Sequence, residues 1–362
     1  MTRMQLVVIG NGMAGMRTVE ELLQLAPDKY DITVIGREPH GNYNRIMLSP
    51  VLAGEKAFED IVIHPLSWYA ERGITLLAGH TVTGVDRIQR RVTTDQGAVV
   101  GYDRLLLATG SVPFMIPMPG HDHPDVISFR DIADVRRMLA PSATPPRVVV
   151  LGGGLLGLEA ANGLVKQGMA VTVVNDAAYL LNRQLDEEAS SLLRSALEAK
   201  GIAFKVSAAT SHISHNADTG KLDALHFKDG SELPCDLLVM AVGVRPNVAL
   251  ARSMGLQVDK AILVNDTLQT FDPRVYAVGE CVQHRGALFG LVAPLYDQAK
   301  VCANHLAEMG ISRYQPKPTA TTLKISGVSL FSAGEFSHAE ADKLYYRAPA
   351  RGIYKKLCVL AG

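Results

Sequence analysis

Gly10-Asn11-Gly12-Met13-Ala14-Gly15 decides the fold. It follows the apolar run Leu6-Val7-Val8-Ile9 and opens into a helical pattern over 13–25, after which Ile32-Thr33-Val34-Ile35 reads as a second strand. Strand, G-x-G-x-x-G turn and helix in that order form a dinucleotide-binding fingerprint. Gly10 permits the tight turn, Gly12 lets a pyrophosphate approach the backbone, and Gly15 lets helix and strand pack closely. Around Met13 and Ala14 the helix offers unpaired N–H groups and its positive dipole end. An acid is expected about 20 residues on, to hold ribose hydroxyls. Glu38 is the nearest, and Arg37 occupies the more usual place. The alternative for Glu38 is a solvated strand-end charge.

The same pattern recurs. Val148-Val149-Val150-Leu151 runs into Gly152-Gly153-Gly154-Leu155-Leu156-Gly157, a helix over 155–167 and a strand over 170–174. This second strand ends Val174-Asn175-Asp176. No Arg or Lys stands there to neutralise a 2′-phosphate, so NADH is preferred to NADPH, although Arg183 is near enough in sequence to reach. Between the copies, Leu105-Leu106-Leu107-Ala108-Thr109-Gly110 reads as a buried strand ending on a turn, and the stretches 236–243 and 275–279 repeat that logic. Proline-bearing connectors run over 113–119 and 141–146.

The expected architecture is therefore α/β: two nested Rossmann-like dinucleotide-binding domains, with the second inserted in the first. Residues 1–115 and 244–313 make one dinucleotide-binding domain and 116–243 the other. From 314 to 362 an α+β region is expected, with strands at 322–325, 330–332 and 356–360. The last is expected to lack an antiparallel partner, and on that ground the region is expected to be truncated.

Composition narrows the class. The 362 residues are 48% hydrophobic and 20% charged, and 36 basic side chains balance 36 acidic ones. No clustered positive excess points to nucleic acid. No apolar run approaches the ~20 residues of a membrane span, and no leader pattern opens the chain, so a cytoplasmic protein is expected. Cys235, Cys281, Cys302 and Cys358 form no Cys-x-x-Cys, so neither zinc nor a dithiol is spelled out, and each is expected to be packing. No metal site is expected. His284 and His305 are read as structural histidines.

The turns at 10–15 and 152–157, with Thr109-Gly110 and Gly279-Glu280, resemble the pyridine-nucleotide-dependent flavoprotein reductases, whose fold is the three-layer ββα type. Tyr43-Asn44-Arg45-Ile46-Met47-Leu48-Ser49 resembles their ferredoxin/rubredoxin reductase branch, with arginine and serine where disulfide reductases carry redox cysteines. Arg183-Gln184-Leu185-Asp186 and the run 276–300 are similar to the N-terminal reductase module of the NAD(P)H-dependent nitrite reductase large-subunit family, and to the electron-transfer subunits of assimilatory nitrate reductases.

The resemblance makes 1–115 with 244–313 the FAD-binding domain and 116–243 the NAD(P)H-binding domain, and it implies FAD contacts at Arg45, Val82 through its backbone, Arg130, Glu280, Pro294, Leu295 and Tyr296. It implies that Glu280 holds the ribityl chain and that a helix starting near Pro294 points its N-terminus at the flavin. Nicotinamide-nucleotide contacts are implied at Leu156, Glu159, Asn175, Arg183 and Gly243, with Glu159 orienting the nicotinamide. Pro50 stands where many ferredoxin reductases have a lysine near the flavin.

The implied activity is hydride transfer from NAD(P)H to FAD, followed by one-electron transfer to an acceptor domain or protein. In the intact relatives, iron–sulfur and siroheme regions lie downstream and the product is ammonia from nitrite. Three alternatives are weighed: a disulfide or coenzyme A-disulfide reductase, which needs a cysteine near the flavin that the segment 42–52 lacks; a stand-alone rubredoxin or ferredoxin reductase, or the electron-transfer subunit of an assimilatory nitrate reductase; and a non-catalytic FAD/NAD-sensing module. A homodimer is also left open.

Overall fold

The computed structural model describes residues 3–140, 145–325 and 327–360. Part of the connector expected over 141–146 lies outside them. The chain divides into two compact units, one of residues up to Arg45 with Glu59–Val112 and Arg245–Lys317, the other of Ile46–Phe58, Pro113–Val244 and the residues from Pro318 on.

In the first unit a five-stranded sheet runs in the order Val275–Ala277, Arg104–Leu107, Met4–Ile9, Tyr30–Gly36, Thr75–Ala78, every neighbour parallel. Its central strands are apolar because a parallel sheet is covered on both faces. Leu105, Leu106 and Leu107 are wholly buried, each stabilising by about 1.5–3 kcal/mol. The helix Met13–Leu25 packs against Val292–Leu306. An antiparallel sheet of Val82–Asp86, Arg91–Thr94 and Val99–Gly101 sends Val92 into the same core.

The second unit repeats the plan. Its parallel sheet runs Val126–Ser128, Leu237–Met240, Arg147–Leu151, Ala170–Val174, Ile202–Lys205. A three-stranded antiparallel sheet, Thr210–His215, Leu222–Phe227 and Glu232–Pro234, accompanies it. The helix Leu155–Lys166 packs on the short helix Leu48–Leu52. Gly163 allows that approach, since a Cβ there would lie 2.8 Å from Leu52 Cγ.

The repetition reaches single hydrogen bonds. Asp103 Oδ2 accepts the Gln5 amide hydrogen at 2.8 Å, and Asp236 Oδ2 accepts that of Arg147 at 2.8 Å. Each aspartate precedes one sheet strand and ties it to the start of the glycine-turn strand beside it. At the far end, the Gly10 and Gly152 amides both donate to carbonyls of the next strand at 2.8 Å, Ile35 and Val174.

Two expectations are corrected. Ile353–Val359 does not lack a partner: it pairs antiparallel with Asp342–Ala348 over seven registered residues. The strand expected over 322–325 ends early, as Ala320–Thr322 paired with Phe331–Ala333. The Lys324 amide turns to a carboxylate, Glu159, instead of a ladder carbonyl.

Candidate functional site

Each glycine turn has the same construction. A Cβ on Gly10 would lie 2.2 Å from the Ala108 carbonyl oxygen, and one on Gly152 2.5 Å from that of Ala241. Both residues have positive φ, 115° and 122°, which side-chain-bearing residues rarely adopt. A Cβ on Gly15 would meet Gly10 O at 2.8 Å, and one on Gly157 would meet Gly152 O at 2.0 Å. The middle glycines differ. Beside Gly12 and Gly154 nothing lies within 4 Å of a built Cβ.

Each middle glycine is the N-cap of its helix, without a side-chain cap and without an acid in the first turn. Two helix N-termini therefore hold unpaired N–H groups beside open space, as an anion requires. Met13 is half-buried and Ala14 buried; Leu155 is half-buried and Leu156 exposed.

The turns are braced differently. Asn11 Oδ1 accepts from Tyr69 Oη at 2.6 Å, and Asn42 Nδ2 donates to the Asn11 carbonyl at 3.0 Å. In the second turn Asn175 does the bracing. Its Oδ1 accepts from the Gly153 amide, and its Nδ2 donates to the Ala177 and Tyr179 carbonyls, all at 3.1 Å. Asp176, exposed beside it, accepts from the Ala177 amide at 2.8 Å.

Around the first turn, Glu38 is a member of a cluster and not a solvated strand end. It accepts from Tyr43 Oη at 2.7 Å and forms an ion pair with Arg45, whose guanidinium lies 4.9 Å from the Tyr43 ring centre. Arg37 is exposed. Val82 opens an antiparallel strand. Thr109 Oγ1 donates to the Asn247 carbonyl at 2.8 Å, and Gly110 has φ 65°. Glu280 accepts from Ser111 Oγ at 2.8 Å.

The helix expected near Pro294 begins at Val292, so Pro294 lies in its first turn, where a missing N–H removes no helical bond. That end has neither a side-chain cap nor an acid. Leu295 is buried; Tyr296 is half-buried, with the Arg17 guanidinium 5.5 Å from its ring centre.

Arg130 falls in the second unit, where its amide donates to Asp134 Oδ2 at 2.7 Å. In that unit Arg183 is exposed and lines, with Asn182, Phe336 and Ser337, a cavity of about 530 Å³. Gly243 is exposed, with φ 115°.

Glu159, five residues into its helix, is 6% exposed. Its Oε2 accepts from Ser49 Oγ at 2.5 Å and its Oε1 from the Lys324 amide at 3.0 Å. Burial raises its carboxyl above the ordinary range, and both hydrogen bonds oppose that rise.

Sequence reasoning missed Lys324 and Gln298. Gln298 is wholly buried and its Oε1 accepts the Gly279 amide hydrogen at 2.8 Å. Neither residue belongs to a glycine turn, so no local pattern pointed to them.

All four cysteines are unpaired, and Cys235, Cys281 and Cys302 are buried. Burial pushes the Cys235 thiol up to about 12, which makes it a poor nucleophile. His284 bonds Asp266 and His305 bonds Tyr276, both at 2.8 Å, as structural histidines do. Among the described residues no helix is long and apolar enough to cross a membrane, and no group of His, Cys, Asp and Glu is placed to hold a metal.

Residues 4–304 match the model of the pyridine nucleotide-disulphide oxidoreductase family. The chain belongs to this family. It is an oxidoreductase family, and membership implies FAD and NAD(P)H. Residues 319–362 match the rubredoxin NAD+ reductase C-terminal domain.

Among curated proteins, the chain is 47% identical to a Bacillus subtilis NAD(P)H nitrite reductase, over all of this chain and 45% of that protein. It is 44% identical to the electron transfer subunit of a Bacillus subtilis assimilatory nitrate reductase, over 98% of this chain and 46% of that one. The chain thus spans just under half the length of these relatives. Among solved structures it resembles a chain of the covalent putidaredoxin reductase–putidaredoxin complex, with TM-score 0.87 and 26% identity over 99% of this chain and 88% of that one. The expected resemblance, the nested α/β fold and the oxidoreductase class are all borne out.

Proposed function

We propose that the chain transfers reducing equivalents from NADH to FAD and on to a one-electron acceptor, as the reductase part of a nitrite-reducing enzyme. The observation that carries this reading is the pair of glycine turns. Flanking glycines occupy space no side chain could enter, while Gly12 and Gly154 face open space at uncapped helix N-termini. That is what two pyrophosphates require. The relatives' names support nitrite as the final substrate.

FAD, when bound, supplies two-electron acceptance from the nicotinamide and single-electron release. The protein binds and orients. In our reading Gly10, Gly12, Met13, Ala14 and Gly15 receive the flavin pyrophosphate. Glu38, held by Arg45 and Tyr43, takes the ribose, with Arg37 near the adenosine end. Val82 meets the adenine through its backbone. Glu280 takes the ribityl chain, and Thr109, Gly110, Pro294, Leu295 and Tyr296 line the rest. The uncapped end of Val292–Leu306 stabilises negative charge on the flavin pyrimidine. Gly152, Gly154, Leu155, Leu156, Gly157, Arg183 and Gly243 hold the dinucleotide, and Glu159 faces the nicotinamide. Because Asn175 is occupied with its own turn, the ribose preference falls to the exposed Asp176, whose charge disfavours a 2′-phosphate. Positioning of this kind is worth several kcal/mol in the transfer step.

We keep 1–115 with 244–313, 116–243 and 314–362 as the functional division of the chain. The unpaired thiols fit a reducing cytoplasm. A stand-alone rubredoxin reductase is the second reading, favoured by the match over 319–362.

The deciding experiment is an anaerobic titration of the purified yellow protein with NADH, then NADPH, followed by visible absorption. Bleaching of the flavin bands at near-stoichiometric NADH is expected. A protein that binds FAD but is bleached by neither donor sinks the reading. Reduction of rubredoxin but of no iron–sulfur or siroheme partner selects the second reading.

A further inference from the structure

Glu159 poses a physical problem. A carboxylate with 6% exposure loses most of its hydration, a loss that only hydrogen bonds and opposite charge can offset. The chain meets this from two segments distant in sequence. Ser49 Oγ donates to Oε2 at 2.5 Å from the short helix Leu48–Leu52, and the Lys324 amide donates to Oε1 at 3.0 Å. The Lys324 ammonium adds favourable charge. Pro50 offers no cation beside Ser49, so this positive charge comes from position 324 instead. The Lys324 amide donates to Glu159 just beyond its own strand, which stops at Thr322.

We propose that Ser49 and Lys324 are positioning residues for pyridine-nucleotide oxidation, which hold Glu159 as an oriented carboxylate so that the segment around residue 324 completes the nicotinamide site. The inference rests on the reading that Glu159 faces the nicotinamide. Each carboxylate oxygen accepts two hydrogen bonds, and Ser49 and Lys324 use one apiece. The remaining acceptor capacity suits an N–H₂ donor, such as the carboxamide of the nicotinamide. A protonated or rotated Glu159 would lose that fit. Burial favours the protonated form, while Ser49 and Lys324 each favour the ionised one.

The test uses the full chain with FAD bound and the variants Ser49→Ala, Ser49→Thr, Lys324→Met and Glu159→Gln. NAD+ affinity is measured by calorimetry as a function of pH, and the Glu159 carboxyl is followed by isotope-edited infrared absorption. In the parent protein affinity falls as pH drops through the Glu159 pKa. Ser49→Ala and Lys324→Met should each move that fall to higher pH and weaken NAD+ about tenfold at neutral pH. FAD content should not change. Ser49→Thr, which keeps the hydroxyl, should restore the parent profile, and Glu159→Gln should abolish the pH dependence. If Ser49→Ala does not hold FAD, Ser49→Cys keeps the volume with a weaker donor and carries the same prediction. Parent-like affinity and infrared profiles in the Ser49 and Lys324 variants, beside an altered Glu159→Gln, overturn the inference and leave the Glu159 reading intact. A Glu159→Gln protein with parent-like affinity at every pH overturns both.

Discussion

Asn175, expected as a nicotinamide-nucleotide contact, braces the glycine turn itself: its Oδ1 accepts the Gly153 amide hydrogen at 3.1 Å. Both Nδ2 hydrogens are also taken, by the Ala177 and Tyr179 carbonyls. Shortening this side chain leaves three backbone groups without their partner. Asn175→Ser should destabilise the protein by about 1–3 kcal/mol. It should weaken NADH and NADPH by the same factor, because all three hydrogen bonds of its side chain go to backbone groups at the turn and just beyond the strand. Calorimetric affinities for both donors check this, and a changed NADH-to-NADPH ratio would count against it.

The glycines of the first turn should separate folding from cofactor binding. Gly10→Ala places a Cβ 2.2 Å from a backbone oxygen at φ 115°. A loss above about 4 kcal/mol is expected, enough to prevent accumulation of folded protein. Gly12 has φ −92° and open space beside it. Gly12→Val, a poorer N-cap than glycine, should destabilise the FAD-free protein by only about 0.5–2 kcal/mol while abolishing FAD retention. Thermal unfolding with and without FAD, alongside visible absorption, measures both effects.

Gln298 should report on the loop that carries Glu280. Its Oε1 accepts the Gly279 amide hydrogen, one residue before Glu280, in a wholly buried setting. Gln298→Leu strands that amide and should cost about 1–3 kcal/mol. FAD affinity should fall as well, since the backbone carrying Glu280 loses its anchor. Unchanged FAD affinity would show that the loop is held without it.

Acid sensitivity has a definable contribution from Asp266. Hydrogen bonds from Arg285 and His284 lower its carboxyl from 3.8 to about 2. A depressed carboxylate contributes stability that is complete above its unfolded-state pKa and lost as pH falls through the native value. Asp266→Asn should therefore be less stable than the parent at neutral pH, with the difference shrinking below about pH 4 and vanishing near pH 2. Denaturant unfolding at several pH values checks the sign, and a difference that grows on acidification would refute it.

Much of this protein is legible in one dimension. The two glycine turns are short, contiguous and flanked by apolar strands, so local sterics dictated strand, turn and helix there. Expected helices over 13–25 and 155–167 correspond to Met13–Leu25 and Leu155–Lys166. Tertiary structure decided what depends on partners far apart in sequence. Glu38 and Arg45 each looked like a separate ligand, yet they are ion-paired. The last strand looked solitary because its partner, Asp342–Ala348, sets charged Asp342, Lys343 and Arg347 around Leu344, Tyr345 and Tyr346 without the apolar–polar alternation that marks a strand. Ser49, Glu159 and Lys324 meet across separations of 110 and 165 residues. The sequence by itself determined the two dinucleotide-binding folds, because each glycine's task is set by backbone geometry within a few residues. Only the tertiary structure decided which side chains face the buried carboxylate, because its desolvation is offset by donors that folding alone brings together.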